Sequence, residues 1–259
     1  MPRNKNTISW TLFIAVAVCL VCSVLVSWTA VSLRPLQERN KELERKRNIL
    51  AAAGLLSEDV DVAEAFKRIE TRLVDLSTGE YVTGRDPAEF DPLAAARDPE
   101  LNVTIPTADD LAGIKRRARL GRVYLFREEG ELKRVILPVY GKGLWSTLYG
   151  FLALEDDLHT ISSLAFYQHA ETPGLGGEVD NPAWKAQWVG KQAFEDGEVA
   201  IEVVKGKVPA SSPRAEHQVD GISGATITAR GVGQLVRYWL GEDGFGPYLD
   251  RLREEVSHG

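Results

Sequence analysis

Residues 220–230, DGISGATITAR, gather an acid, two glycines and three hydroxyl side chains just before an apolar pattern of helical spacing. Thr228 lies directly before that pattern, which predicts it as the N-cap of a helix. The loop 223–226 would then lie at the positive end of the helix, where unpaired backbone amides bind anions. Gly221 and Gly224 allow close approach to the backbone. The loop therefore suits a phosphate, although it is not a P-loop; the alternative is a tight turn with a helix cap.

A second segment, ETPGLGG at residues 171–177, combines a proline with three glycines. Pro173 indicates a rigid turn, and Gly174 and Gly176 leave Leu175 protruding from a thin stretch of backbone. From the residues alone, this segment is a surface turn with one apolar tip.

The elements that must position these two segments form a recognisable pattern. Strand patterns cluster between residues 120 and 205 and helical patterns flank them, so we expect an α+β domain with a mostly antiparallel sheet. The run RVYLFREEGELKRVILPVYG alternates on both sides of Glu-Glu-Gly and predicts a β-hairpin. Asn181 and Pro182 predict the start of a short helix.

Other parts of the chain carry weaker patterns. Residues 84–116 are polar and contain four prolines, and we interpret them as irregular structure with one short helix around residues 109–118. Trp145 and Trp184 are interpreted as core residues. The helix after the first segment has its predicted apolar face at Val232, Leu235, Val236 and Trp239.

Residues 8–33 contain no charge and are long enough, as a helix, to cross a hydrocarbon layer of roughly 30 Å. Trp10 and Trp28 lie near the two ends, where such rings favour the membrane interface. This apolar core is longer than that of a cleaved signal peptide, the competing interpretation, so we expect an uncleaved anchor in a lipid bilayer. The predicted organisation is a tail (1–7), a transmembrane helix (8–33), a juxtamembrane helix with the first part of the domain (34–119), and a C-terminal domain (120–259).

Composition limits the chemistry that the chain can perform. Its two cysteines, Cys19 and Cys22, both lie in the apolar segment, which excludes a disulfide framework, a cysteine-based zinc site or an iron–sulfur cluster in the remaining chain. The four histidines are far apart, so no metal site is predicted. The net charge is −6 and no basic cluster with interleaved aromatics is present, which argues against a nucleic-acid partner.

The orientation of the anchor is open on physical grounds. The flank after residue 33 carries more Lys and Arg than the N-terminal tail, which favours a cytoplasmic C-terminal side. A large domain after a short tail, however, often translocates regardless of its charge.

The stretch DGISGAT resembles the flavinylation motif of the covalent-FMN-binding domain family, whose final Thr or Ser carries FMN through a phosphoester. The matching position is Thr226. ETPGLGGEVDNPAWKAQW (171–188) and GKGLWSTLYGFLAL (141–154) also resemble this family, and with the anchor the likeness covers nearly the whole chain. The chain is most similar to the C subunits of Na⁺-translocating NADH:quinone reductases; the G subunits of Rnf-type electron-transport complexes share the motif and a single anchor.

This resemblance implies roles for particular residues. FMN would be attached covalently to Thr226, and the turn at 172–175 would lie beside the flavin ring. The residues implied in binding the cofactor are Asp220, Ser223, Gly224, Ala225, Thr228, Thr172, Gly174 and Leu175. Two roles remain open for Asp220: it orients the loop in an Asx-type turn, or it assists the transferase that attaches the flavin.

The function implied is that of an electron-carrying subunit in a bacterial inner membrane, with its C-terminal domain periplasmic. Its partners would be the other subunits of the redox complex and, during maturation, a flavin transferase. We expect no activity on NADH by the chain alone, since no GxGxxG follows a strand. A hypothesis from another class is a membrane-anchored assembly or binding protein without a redox centre, in which the loop serves only as a helix cap.

Overall fold

The computed structural model of the protein describes residues 8–57 and 60–258, so the predicted tail at 1–7 lies outside the described residues. The helices are α1 (Ile8–Ala52), α2 (Val62–Phe66), α3 (Pro92–Ala95), α4 (Pro182–Lys185), α5 (Thr226–Leu240) and α6 (Gly246–His258). The strands are β1 (Ile69–Asp75), β2 (Asn102–Thr104), β3 (Arg116–Ala118), β4 (Leu120–Glu128), β5 (Glu131–Lys142), β6 (Thr147–Glu155), β7 (Ile161–Gln168), β8 (Phe194–Glu195), β9 (Glu198–Val199), β10 (Glu202–Val203) and β11 (Gln218–Val219).

The chain divides into two compact units, Met1–Arg45 and Lys46–Gly259. The described part of the first unit consists of α1 alone. Across the described residues, α1 is the one helix that is long and apolar enough to cross a membrane. The predicted segment at residues 8–33 thus lies within one continuous helix.

The second unit is built around an antiparallel sheet of five strands in the order β1-β4-β5-β6-β7. The predicted hairpin is β4–β5, and its turn residues Glu129 and Gly130 have φ values of 53° and 89°. Positive φ at both central positions is what a tight type I′ hairpin requires. The predicted α+β class with a mostly antiparallel sheet is confirmed.

Each strand of the sheet contributes to two cores because successive side chains point to opposite faces. On β4, Val123 and Leu125 belong to the larger core and Tyr124 and Phe126 to the second. The larger core is covered by α5 and α6, and the residues predicted for the apolar face of α5 are all buried in it. The last turn of α1, with Ile49 and Leu50 fully buried, packs in the second core.

Two glycines let α5 lie directly against the end of β5. A Cβ at position 231 would be 2.3 Å from the carbonyl oxygen of Lys142, and one at position 141 would be 2.5 Å from Cβ of Leu235. Any larger residue at either position would push the helix away. The first turn of α5 is therefore held beside the connection between β5 and β6.

The helix predicted around residues 109–118 is wrong, whereas the start predicted at Asn181 is confirmed. The Asp110 carboxylate accepts backbone amides of Ile114 and Lys115 and closes a turn, and Arg116–Ala118 then pairs with β2. The short helix of this region is α3 instead, with Asp91 as its N-cap. Asn181 caps α4 through its side chain, with Pro182 in the first turn.

Candidate functional site

The first predicted segment ends at an uncapped helix. Ala225 is the N-cap of α5, and no side-chain hydrogen bond caps the helix there. The first intrahelical bond runs from the amide of Ala229 to the carbonyl of Ala225, so the amides of residues 226–228 precede it. These amides lie at the positive end of a 15-residue helix. The exposed Thr226 is the first helical residue.

Thr228 is not the N-cap, which corrects the sequence prediction. The helix begins three residues earlier than a cap at Thr228 would place it, and this turns Thr228 inward, where it is 1% exposed. Its hydroxyl donates to Oε2 of Glu171 over 2.7 Å. The Thr228 side chain is therefore a buried tie, meaning that it links the first turn of α5 to Glu171, and it does not cap the helix.

Glu171 is the residue that sequence reasoning missed. Its Oε1 accepts hydrogen bonds from the amides of Trp145 (3.0 Å) and Ser146 (2.9 Å) and from the Ser146 hydroxyl (2.9 Å). Its Oε2 accepts from Thr228 and from the amide of Leu144 at 3.2 Å. One carboxylate thus joins the β5–β6 connection, the loop after β7 and the first turn of α5. An acid at the start of a glycine-rich turn, directly after an apolar strand, was the available signal.

Burial raises the pKa of Glu171, but the hydrogen bonds from Thr228, Ser146 and Trp145 outweigh it and hold the pKa below its usual value. The carboxylate is therefore ionised at neutral pH. Two glycines leave room for it. A Cβ at 143 would lie 2.7 Å from Oε1 of Glu171, and one at 176 would lie 2.7 Å from both Oε2 of Glu171 and Oγ1 of Thr228.

The second predicted segment forms a tight turn that meets the first. The carbonyl of Thr172 accepts the amides of Leu175 (3.1 Å) and Gly177 (2.9 Å), and Gly174 has a φ of 75°. Cδ2 of Leu175, a residue 45% exposed, lies 3.0 Å from the position of a Cβ at Gly224. The two segments that sequence reasoning selected are brought together, with Thr172 and Ser223 exposed at the surface.

The Asp220 carboxylate accepts the amide of Val208 at 2.7 Å. The next residue, Gly221, donates its amide to the carbonyl of Gly206 at 2.7 Å. Asp220 therefore fixes its loop to the neighbouring 206–208 segment and does not form an Asx-type turn within its own loop. Its carbonyl also accepts from Nε1 of Trp184, a buried residue, as predicted.

A cavity of about 160 Å³ opens beside Thr226. Lys205 and Arg230 bring two positive charges to its wall. Gly221 and Ile222 line it from residues 220–226, the loop that carries the stretch DGISGAT and is called the motif loop below. The cavity lies at the same helix end as the amides of residues 226–228. The amides and the two cations therefore all contribute positive charge to this cavity.

Trp145 was expected in the core, but it is 70% exposed. The reason is the turn that holds it, where the amide of Gly143 donates to the carbonyl of Ser146 and the intervening amides point at Glu171. Leu144, Leu175 and Ile227 are also exposed large apolar residues on the segments that meet here. The site thus combines an uncapped helix start, two nearby cations and an exposed apolar surface.

Among the described residues, no group of three or more His, Cys, Asp or Glu is placed to hold a metal ion.

Residues 143–241 match the FMN-binding domain family. This match covers all three segments that meet at Glu171, so the fold and the site define a protein with an FMN-binding domain and an apolar N-terminal helix.

The chain is 50% identical to the C subunit of the Na⁺-translocating NADH-quinone reductase of Pseudomonas aeruginosa over 256 residues, which cover 97% of this chain and 98% of that one. It is 48% identical to the protein of the same name in Yersinia pestis over 259 residues, covering 98% and 96%. The crystal structure of NqrC from Shewanella oneidensis matches with a TM-score of 0.75 and 37% identity, over 84% of this chain and 99% of that one. The chain belongs to the family of C subunits of the Na⁺-translocating NADH-quinone reductases.

Proposed function

We propose that the chain is an electron-carrying subunit of a Na⁺-translocating NADH-quinone reductase, with FMN bound through a phosphoester to Thr226. The observation that carries the proposal is the exposed Thr226 at the uncapped start of α5, beside a cavity with Lys205 and Arg230. Similarity over the full length to C subunits supports this family over the G subunits of Rnf-type complexes.

The residues present fit the phosphate of FMN. A phosphoester on Thr226 would place its negative charge against the amides of residues 226–228 and near the two cations. Gly221 keeps this side of the loop thin, because a Cβ there would lie 2.4 Å from the carbonyl oxygen of Val204. Thr228 is buried and its hydroxyl is engaged with Glu171, which leaves Thr226 as the exposed threonine of the motif.

The exposed apolar surface fits the flavin ring. Leu175 lies directly against the motif loop, and Trp145 and Ile227 lie on the adjoining segments. When bound, FMN supplies the reversible electron transfer, and the chain supplies attachment and orientation. Glu171 holds the three segments in place and keeps a fixed negative charge beneath them.

The proposed cellular setting is the bacterial inner membrane, with α1 as the anchor and the C-terminal domain in the periplasm. Covalent attachment removes the dissociation of FMN, which suits a compartment that cannot be relied on to resupply it. The proposed partners are the other subunits of the complex and a flavin transferase. A C-terminal reporter that is active only in the cytoplasm tests the orientation: it should stay silent, and a signal would overturn the periplasmic assignment.

Thr226→Val tests the attachment because valine keeps the β-branched shape but has no hydroxyl. Protein made together with a flavin transferase should carry FMN through denaturation, visible as in-gel fluorescence and as added intact mass, and the variant should carry none. Thr83→Val, at an exposed threonine outside the motif, is the matched control and should keep the flavin. Flavin that survives denaturation on the Thr226→Val chain would refute this attachment site, and a colourless parent would favour a non-redox anchor protein.

A further inference from the structure

A cleft of about 840 Å³ in the second unit is lined by residues outside the motif loop. Its wall is formed by the β2–β3 ribbon, the 105–115 segment, the end of α3 and the adjoining ends of β5 and β6. It shares no lining residue with the cavity beside Thr226. The proposed attachment of FMN does not use this cleft.

Four basic side chains line the cleft, namely those of Arg97, Lys115, Arg116 and Lys142. The ion pairs of the described residues involve none of the four. The lining contains a single acid, Asp110, whose carboxylate accepts two backbone amides at 2.9 and 2.8 Å. A concentration of positive charge in a concave surface attracts anions, and here it occurs in a chain whose net charge is −6.

The backbone that carries these cations is fixed. Lys115 has a φ of 63°, an uncommon value for a residue with a side chain. Two contacts hold it there: its amide donates to the Asp110 carboxylate, and its carbonyl accepts the amide of Ile105 at 2.9 Å. Arg116 is fixed next to it, because it pairs with Thr104 across the ribbon. The backbone that carries Lys115 and Arg116 is therefore held in place by these hydrogen bonds.

The remaining wall is suited to a ring and to phosphate oxygens. Tyr140 and Tyr149 are paired across β5 and β6, with their rings stacked at 5.8 Å, and both are half-buried. The threonines at 104, 107 and 147 add hydroxyl donors around the basic side chains. A volume of this order is that of sites for small molecules of cofactor size, roughly 300–1,000 Å³.

We propose that this cleft binds a phosphate-bearing anion of nucleotide size, non-covalently and independently of Thr226. Lys and Arg together with hydroxyl groups bind phosphate oxygens, and the tyrosine pair provides an apolar face for the attached ring. The phosphate can come from a soluble phosphorylated compound or from the headgroup of an anionic phospholipid.

The test uses the full chain in neutral detergent without flavin, titrated calorimetrically with AMP and, separately, with short-chain phosphatidylglycerol against phosphatidylcholine. We expect saturable binding in at least one of the two arms, weakened by added salt. The variant Arg116→Gln/Lys142→Gln should bind at least about tenfold more weakly, equal to about 1.4 kcal/mol. AMP binding would identify the soluble source, and a preference for phosphatidylglycerol would identify the headgroup.

The matched control is Arg127→Gln/Lys133→Gln, which removes two cations near the hairpin end of β4 and β5. It has the same charge as the cleft variant and should bind as the parent does. None of the four positions is buried, so both variants should fold, which circular dichroism checks. Absence of binding in both arms, or equal binding by the cleft variant and the control, would overturn the proposal.

Discussion

The hydroxyl of Thr228 donates a hydrogen bond of 2.7 Å to the carboxylate of Glu171, a residue 57 positions earlier in the chain. The bond ties the first turn of α5 to the loop after β7, and the same carboxylate binds the β5–β6 connection. The arrangement of the site therefore depends on this one acid.

Replacing Glu171 by glutamine should destabilise the domain. Glutamine has only one side-chain acceptor oxygen, and its NH₂ would take the place of the other carboxylate oxygen. There the NH₂ would face N–H or O–H groups that now donate to Glu171. A lost hydrogen bond to a buried charged group costs about 1.5–3 kcal/mol, and we expect a loss of that size in urea unfolding at pH 7. Glu198→Gln, at an exposed position, is the control and should change little.

The same variant should reveal a pH dependence. The pKa of Glu171 is lower in the folded chain than its usual value of 4.5, so the unfolded state binds the proton more readily. The stability from this carboxylate is therefore fully present above the unfolded pKa and is lost as the pH falls through the folded pKa. Other acids share this behaviour: despite burial, hydrogen bonds from Ser77 and Thr160 lower the pKa values of Asp75 and Asp157.

The measurement is thus the difference in unfolding free energy between the parent and Glu171→Gln from pH 7 to pH 3, since the contributions of the other acids cancel in it. The difference should stay constant down to about pH 5, just above the unfolded pKa of an ordinary Glu, and shrink below it. A difference that is the same at pH 3 and pH 7 would contradict the ionised carboxylate.

Thr228→Val should lower the stability of the domain but leave the proposed attachment residue, Thr226, in place. Valine fits the buried position but leaves Oε2 of Glu171 with one donor fewer, at a cost of about 1–3 kcal/mol. Thr228→Ser keeps the hydroxyl and should recover part of the loss. Thr226→Val, at an exposed position, should stay within about 0.5 kcal/mol of the parent in the same denaturation assay. If the exposed substitution proved the more destabilising of the two, Thr228 would not be the buried tie.

Gly176→Ala should destabilise the domain markedly more than Gly177→Ala. A Cβ at 176 would lie 2.7 Å from the oxygens of both Glu171 and Thr228, whereas one at 177 would lie 3.2 Å from its nearest atom. Overpacking of this kind costs typically about 1–3 kcal/mol, and here the displaced atoms belong to the bond that orders the site. Thermal unfolding of the two variants measures the contrast, and equal midpoints would show that the loop yields freely.

Leu175→Glu should lower the reduction potential of the bound flavin if the ring lies against the turn at residues 172–177. A nearby carboxylate opposes the negative charge gained on reduction, and a partly exposed charge should shift the potential by a fraction of about 59 mV, the value of a tenfold change for one electron. Val256→Glu, also exposed but on α6, adds the same charge elsewhere and should leave the potential unchanged. A redox titration in which Leu175→Glu shows no shift, or a rise, would separate Leu175 from the ring.

Local signals in the sequence were sufficient for the parts of the fold that local chemistry determines. Asn181 with Pro182 starts a helix through its own side chain, and Glu129 with Gly130 closes a hairpin. The apolar spacing of α5 correctly identified its buried face. Each of these features depends on residues that are neighbours in the chain.

Contacts between distant residues decided the features that were missed. A hydroxyl before an apolar helix is typical of a cap, but Thr228 finds a carboxylate 57 residues away and is turned inward. Trp145 is exposed because the amides around it point to Glu171. Residues 116–118 form a strand because β2 offers a partner, although their composition favours a helix. The spacing of residues within one segment does not indicate which distant residues will contact it.

The three segments that meet at Glu171 leave the ribosome at different times, and residues 226–228 are the last of them. A fragment that ends before α5 contains every strand of the five-stranded sheet but cannot form the bond from residue 228 that completes the site. If the flavin is joined at Thr226, its yellow colour counts only the chains that extend past residue 226. Fragments that stop before Thr226 would remain colourless, so the cofactor itself would report how much of the protein has been made beyond its sheet.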